Sequence, residues 1–106
     1  MENESYAIKY TPLAFKDLDE IDSYITDTLC NEQAAERLIS DMEKAVSALK
    51  QFPRSGAEVD DAYLAAKGYR RLVVNNYLVF YLIDEAQKAA VIMRILYGAR
   101  EYHGLL

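Results

Sequence analysis

Tyr69-Arg70-Arg71-Leu72-Val73-Val74-Asn75-Asn76-Tyr77-Leu78-Val79-Phe80-Tyr81-Leu82-Ile83 carries the plainest local instruction in the chain. Two runs of β-branched and aromatic residues flank an Asn-Asn pair, and asparagine tolerates the positive φ that a tight hairpin turn demands. The spacing predicts strands over residues 69–74 and 77–83. Residues 84–88 then supply a second turn, and residues 89–97 a third strand whose interior is apolar except for Arg94. Gly98 closes it.

Upstream, Tyr6-Ala7-Ile8-Lys9-Tyr10 alternates and suits a short strand. Thr11-Pro12 reads as a helix start, because the hydroxyl can accept first-turn amides and the proline lacks an N–H that would find no partner there. Ala14, Leu18, Ile21, Ile25 and Leu29 recur at helical spacing, while Lys16, Asp17, Asp19, Glu20, Asp22 and Asp27 read as a solvated face without a site. Asn31 is a candidate cap for a second helix with the apolar stripe Ala35, Leu38, Ile39, Met42, Ala45, Val46 and Leu49, which Phe52-Pro53 ends. So short a link folds the two helices into an αα-hairpin. Residues 53–68 lack a consistent period and have turn formers at both ends, which predicts a connecting loop.

The fold class is therefore α+β: an N-terminal strand, an αα-hairpin, then antiparallel strands forming a small sheet with the helices on one face, in one domain over residues 1–106. The opposite face is expected to stay open to water and to display the arginines of the late strands.

A chain of 106 residues that is 52% hydrophobic and 27% charged can bury a core without metal or disulfide help. The lone Cys30 and single histidine provide neither a disulfide nor a zinc-ligand spacing, so no metal or cofactor is expected. The acidic opening Met1-Glu2-Asn3-Glu4 lacks a basic leader, and no later run approaches the roughly 20 apolar residues of a membrane span, so a cytoplasmic protein with no membrane partner is expected. The net charge of −5 conceals an asymmetry: residues 1–66 hold six Lys/Arg against fourteen Asp/Glu (−8), and residues 67–106 six against three (+3). An anion site belongs in the second part.

The candidates there are Arg70, Arg71, Arg94 and Arg100, whose planar, permanently charged forks match phosphate or carboxylate geometry in two bonds. Solvated strand charges or ion pairs are the plainer alternative. Arg94, set among Ile92, Met93, Ile95 and Leu96, needs either a buried carboxylate partner or a functional task. Tyr97, Tyr102 and His103 follow the last strand, where they could stack on a base or move a proton beside Arg100. Arg70, Arg71, Arg100, Tyr97 and Tyr102 are thus the catalytic candidates, and Arg94, Arg100, Tyr102 and His103 the target-binding ones. No spacing for a nucleophile, metal or phosphate loop is present.

The stretch Tyr69 through Tyr81, the ending Arg94-Ile95-Leu96-Tyr97-Gly98-Ala99-Arg100-Glu101-Tyr102 and the link Phe52-Pro53-Arg54-Ser55-Gly56 together resemble the RelE/ParE toxin superfamily along nearly the whole chain. The resemblance implies a growth-inhibiting toxin that forms a hetero-oligomer with a cognate antitoxin, which lays an extended or helical segment over its surface. It implies one of two targets: messenger RNA on the ribosome, cut by RelE-like endoribonucleases, or DNA gyrase, poisoned by ParE-like members. A third outcome is an inactive, antitoxin-binding module. The position before Val79-Phe80-Tyr81, arginine in many of the nucleases, is Leu78 here. With a sequence pI near 4.8, where counterion displacement from RNA favours strongly basic proteins, this favours the ParE-like branch.

Overall fold

The computed structural model describes residues 5–98 and 103–106, without the side chain of His103. Strand β1, Ala7–Tyr10, leads into α1, Pro12–Ser23, and α2 is Glu32–Ser47. Strands β3, Arg70–Val74, β4, Tyr77–Asp84, and β5, Ala89–Tyr97, form the meander read from the sequence. Residues 53–68 are not a plain loop. They contain β2, Ala57–Glu58, and a short helix α3, Ala62–Ala66, whose N-cap Asp61 accepts from the Leu64 N–H at 3.0 Å. Gly68 follows α3 at φ 94°, a left-handed turn that glycine adopts without a Cβ penalty. A helix of five residues is too short to show a period, and for that reason it was invisible to periodicity.

The sheet runs β1-β5-β4-β3-β2, with β1 parallel to β5 and all other pairs antiparallel. The caps form as their side chains dictate. Thr11 Oγ1 accepts from the Ala14 N–H at 3.1 Å and Asn31 Oδ1 from the Ala34 N–H at 3.0 Å. Asn75 takes the positive φ, 54°, that the β3–β4 turn requires.

Between α1 and α2 the chain widens into a π-helical turn, Tyr24–Thr28, in which the Leu29 N–H bonds to the Tyr24 carbonyl at 3.1 Å, and it reverses at Cys30, φ 52°. The wider turn breaks the α-helical phase. Leu29, expected in the apolar stripe, is therefore rotated out of the core and left half exposed.

The main core lies between the helices and one sheet face. Ala14, Ile25, Ala35, Leu38, Met42, Val46 and Leu49 pack there on Val79, Tyr81, Ala90, Ile92 and Ile95. Tyr81 pairs with Ile92 and Phe80 with Arg94, so Met93 is an extra residue in β5. This bulge lets Ile92 and Ile95, three positions apart, share the helical face. The opposite face is not bare: Val59, Leu64 and Tyr69 cover Phe80 and Leu96, with Leu105 and Leu106 packed alongside. The expected open surface is thus a second, smaller core.

Two polar ties hold the loop before β2 and the strand ends. The buried Tyr81 hydroxyl donates to the Pro53 carbonyl at 2.7 Å and accepts from the Gly56 N–H at 3.0 Å; a Cβ on Gly56 would collide with that hydroxyl. On the surface, Glu85 accepts from the Tyr6 hydroxyl at 2.7 Å and pairs with Arg54.

Tyr81→Phe leaves both buried backbone groups without a partner and is expected to cost about 1–3 kcal/mol, measured by urea denaturation. Hydrogen bonds from Tyr6 and then Arg54 hold the Glu85 pKa below its ordinary value. A carboxylate whose pKa falls on folding stabilises the fold above the unfolded-state pKa, and loses that contribution as pH drops through the depressed value. Glu85→Gln should accordingly lower Tm at neutral pH, and the two melting curves should converge in acid.

Candidate functional site

Strand β1 covers the outer edge of β5 only as far as Ile92, because the chain then turns at Thr11-Pro12 into α1. The backbone of β5 beyond that point needs other partners. Thr11 supplies the first two: its N–H donates to the Ile92 carbonyl at 3.0 Å and its hydroxyl to the Met93 carbonyl at 2.9 Å. Asp17, on the inner side of α1, supplies the next by accepting the Ile95 N–H at 2.9 Å.

The same carboxylate takes a two-bond fork from Arg94, Nε at 2.8 Å and Nη2 at 2.9 Å, while Arg94 Nη1 donates to the Leu105 carbonyl at 3.2 Å. Asp17 is only 5% exposed, and its hydrogen bonds raise the Arg94 pKa above its ordinary value, so the guanidinium stays charged. Of the two alternatives open for Arg94, the structure supplies the buried carboxylate. The carboxylates of the first helix are accordingly not all solvated.

Arg70 and Arg71 are also engaged. Arg70 Nε donates to the Gly56 carbonyl at 2.9 Å and Nη2 to the Arg54 carbonyl at 3.1 Å, with Glu58 3.9 Å away. Arg71 lies 3.9 Å from Asp60. By register Arg71, Phe80 and Arg94 form one cross-strand row, so the buried Phe80 ring stands between the two arginines. Among the described residues these cations do not converge on a shared point. Arg100, Tyr102 and the His103 side chain lie outside the described residues.

Tyr97 does belong to a surface feature. A groove of about 750 Å³ opens where the helical elbow meets the end of the sheet, walled by Ile21, Leu29, Leu38, Tyr77, Ile95 and Tyr97. Tyr24, Leu29 and Tyr97 are about half exposed at its mouth, and the Tyr77 and Tyr97 rings meet edge to face with centroids 5.7 Å apart. Burial, followed by the neighbouring Tyr97 and Tyr24, raises the Tyr77 pKa. A phenol held neutral in this way packs and donates hydrogen bonds; it is no general base at neutral pH. Large aromatics with one wet end, around an apolar floor, are what protein contact surfaces are made of. Sequence reading placed Leu29 in the helical stripe and Tyr77 in a strand and gave Tyr24 no role; the signal for the elbow was the change of helical phase around Cys30-Asn31.

Over residues 8–102 the sequence matches the family described as the ParE toxin of the type II toxin–antitoxin system, parDE. The chain belongs to the ParE toxin family. That places it among the toxins of type II toxin–antitoxin systems, within the RelE/ParE superfamily. Its backbone is similar to a chain of the chromosomal ParDE TA system from P. aeruginosa, with a TM-score of 0.71 and 23% identity over 89% of this chain and 97% of that one. It is also similar to a chain of the toxin–antitoxin complex RelBE2 from Mycobacterium tuberculosis, with a TM-score of 0.59 and 21% identity over 88% and 98%. At these identities the likeness concerns the fold, and the ParE-family fold is the α+β arrangement expected from the sequence. No curated protein matches the sequence. Among the described residues no helix is long and apolar enough to cross a membrane.

Asp17→Ala should strand the Arg94 charge and the Ile95 N–H and destabilise the ParE-family fold by about 3 kcal/mol in chemical denaturation. Asp17→Ala combined with Arg94→Met removes the orphaned charge and should recover more than half of that loss, the Ile95 amide keeping the remainder.

Proposed function

We infer that this protein inhibits growth by acting on DNA gyrase through protein–protein contact, and that a cognate antitoxin neutralises it as a hetero-oligomer in the cytoplasm. One observation carries the choice of target class. The strand arginines that a ribonuclease would aim at a scissile phosphate are turned inward, Arg94 onto Asp17 and Arg70 onto the carbonyls of Gly56 and Arg54. An enzyme that stabilises a phosphate in its transition state needs preorganised donors free to meet it. The donors of Arg94 and Arg70 are already satisfied, while Arg71 faces only the exposed Asp60, 3.9 Å away.

Charge supports the same reading. Residues 11–47, which form the whole helical layer, hold nine Asp/Glu against three Lys/Arg. Such a surface repels an RNA backbone and accepts a protein, because nucleic-acid affinity comes chiefly from cations that displace counterions. Membership in the ParE toxin family of parDE adds its weight to the gyrase reading and to a partner antitoxin.

Induced alone in a bacterial host, the chain should stop growth, and co-expression of the product of a directly adjacent gene should restore it. Purified toxin should inhibit supercoiling by gyrase or trap cleaved DNA at micromolar concentration. Absence of both effects, together with new codon-spaced cuts in primer extension of cellular transcripts, would replace this reading with the RelE-like ribonuclease. Normal growth, with the neighbour's product still bound, would leave an inactive antitoxin-binding module.

A further inference from the structure

The end of the molecule away from the elbow is built differently. There the Tyr6 N–H donates to the Lys50 carbonyl and the Ala7 N–H to the Lys88 carbonyl, both at 2.8 Å. The start of β1, the helical turn Ala48–Lys50 that ends α2 and the β4–β5 turn therefore meet. The length of β5, about 26 Å, separates this end from Tyr97. A hollow of about 480 Å³ opens here, lined chiefly by Ser5, Lys44, Ser47, Lys50, Gln51 and Phe52, with no carboxylate in its wall among the described residues. Lys44 and Lys50 have neither an ion pair nor a side-chain hydrogen bond among the described residues. Lys44 lies in the last turn of α2 and Lys50 in the turn that follows, where a cation complements the carbonyl end of a helix. That placement leaves the ammonium groups themselves free to reach outward.

Phe52, 64% exposed, stands beside them on a fixed base. Its N–H donates to the Ala48 carbonyl at 3.0 Å and its carbonyl accepts from the Ser55 N–H at 3.1 Å, while the buried Pro53 that follows is held by the Tyr81 hydroxyl. An aromatic ring held outward by a pinned backbone loses little freedom on contact. Resting on the gyrase reading, we propose that this basic hollow and the Phe52 ring form the surface that contacts gyrase, and that they take an acidic protein segment whose Asp or Glu side chains reach Lys44 and Lys50 while an apolar neighbour packs on Phe52. Charge selects the occupant. On a chain of net charge −5, two uncommitted lysines in a wall without carboxylates mark a place where a partner's anion is favoured. Two ammonium groups suffice for a carboxylate-bearing segment, whereas duplex DNA gains its affinity from many phosphate contacts at once. A second copy of this chain, offering its acidic helical layer, would pair head to tail, an arrangement that tends to open-ended chains.

The test measures inhibition of supercoiling and, by titration, binding of the full-length chain to purified gyrase holoenzyme. Lys44→Gln with Lys50→Gln, and separately Phe52→Ala, should each weaken binding about tenfold and raise the inhibitory concentration in step. Affinity of the wild-type chain should fall as salt rises, and that of the lysine variant should fall less. Tyr63→Ala, which removes a similarly exposed ring on α3, should change nothing. Circular dichroism and retained binding of the adjacent gene's product confirm that each variant is folded. Full inhibition by the lysine and Phe52 variants overturns this surface and leaves the gyrase reading standing. A loss with Tyr63→Ala as large as with Phe52→Ala overturns the surface as well. A wild-type chain that neither binds nor inhibits gyrase overturns the gyrase reading, and this proposal with it. Unchanged gyrase binding by the lysine variant, together with lost retention on a DNA duplex alone, assigns the lysines to phosphates instead. Sedimentation showing oligomers of the wild-type chain, dissolved by the lysine variant, assigns them to a second copy.

Discussion

One carboxylate sets the geometry of this molecule. Asp17 accepts the guanidinium fork of Arg94 and the backbone N–H of Ile95 together, at the point where β1 has left the edge of β5 and α1 has taken its place. A sheet edge left bare there would have to find water or another chain. With Thr11 bonding to Ile92 and Met93 just before it, α1 becomes a substitute for a strand, tied to β5 through the backbone groups of Ile92, Met93 and Ile95. The helix is thereby fixed in rotation as well as in position. A buried ion pair contributes little net stability, since its Coulomb attraction is offset by desolvation, yet breaking it from one side is costly. Its value here is to hold α1 in one register.

That registration propagates in two directions. Along α1 it fixes where the elbow at Tyr24–Thr28 falls relative to the end of β5, which is what makes a groove between Leu29 and Tyr97. Through Arg94 Nη1 it reaches the Leu105 carbonyl, and so orients the residues that pack over Phe80 and Leu96 on the other face. Groove, sheet edge and second core thus share one polar node. Arg70 of β3 and Arg94 of β5 are consumed in building this frame, and the net charge of the helical layer is negative.

Local chemistry was legible and distant pairing was not. Thr11-Pro12, Asn31 and the Asn75-Asn76 turn act through neighbours within three residues, so their side chains announce the cap or turn they make. The Ala89–Tyr97 strand was readable because its apolar run has a clear end at Gly98. Asp17 and Arg94, by contrast, are separated by 77 positions. Sequence demanded a partner for Arg94 but offered five carboxylates on the solvated face of the first helix from which to choose. The short helix after Asp61 and the π-helical turn failed for a related reason: each spans five residues, less than a period-based reading needs. Of the candidate site residues, Tyr97 lies in the surface groove, Arg70 and Arg94 are committed to the frame, and Arg71 meets only the exposed Asp60 at 3.9 Å.

The apolar residues exposed at the elbow, Tyr24, Leu29 and Tyr97, are the last consequence of that frame. Had the elbow been a regular α-helix, Leu29 would follow Ile25 into the core and the groove would be shallower by one side chain. The π-helical turn and the left-handed Cys30 instead end α1 early and push Leu29 out beside Tyr24, where Tyr97 meets them from the sheet. An isolated soluble chain gains nothing from holding half-exposed leucine and tyrosine around an open cleft, and single substitutions to polar residues would remove the patch at little cost to the core. A partner that covers the cleft recovers the burial that the chain alone forgoes there.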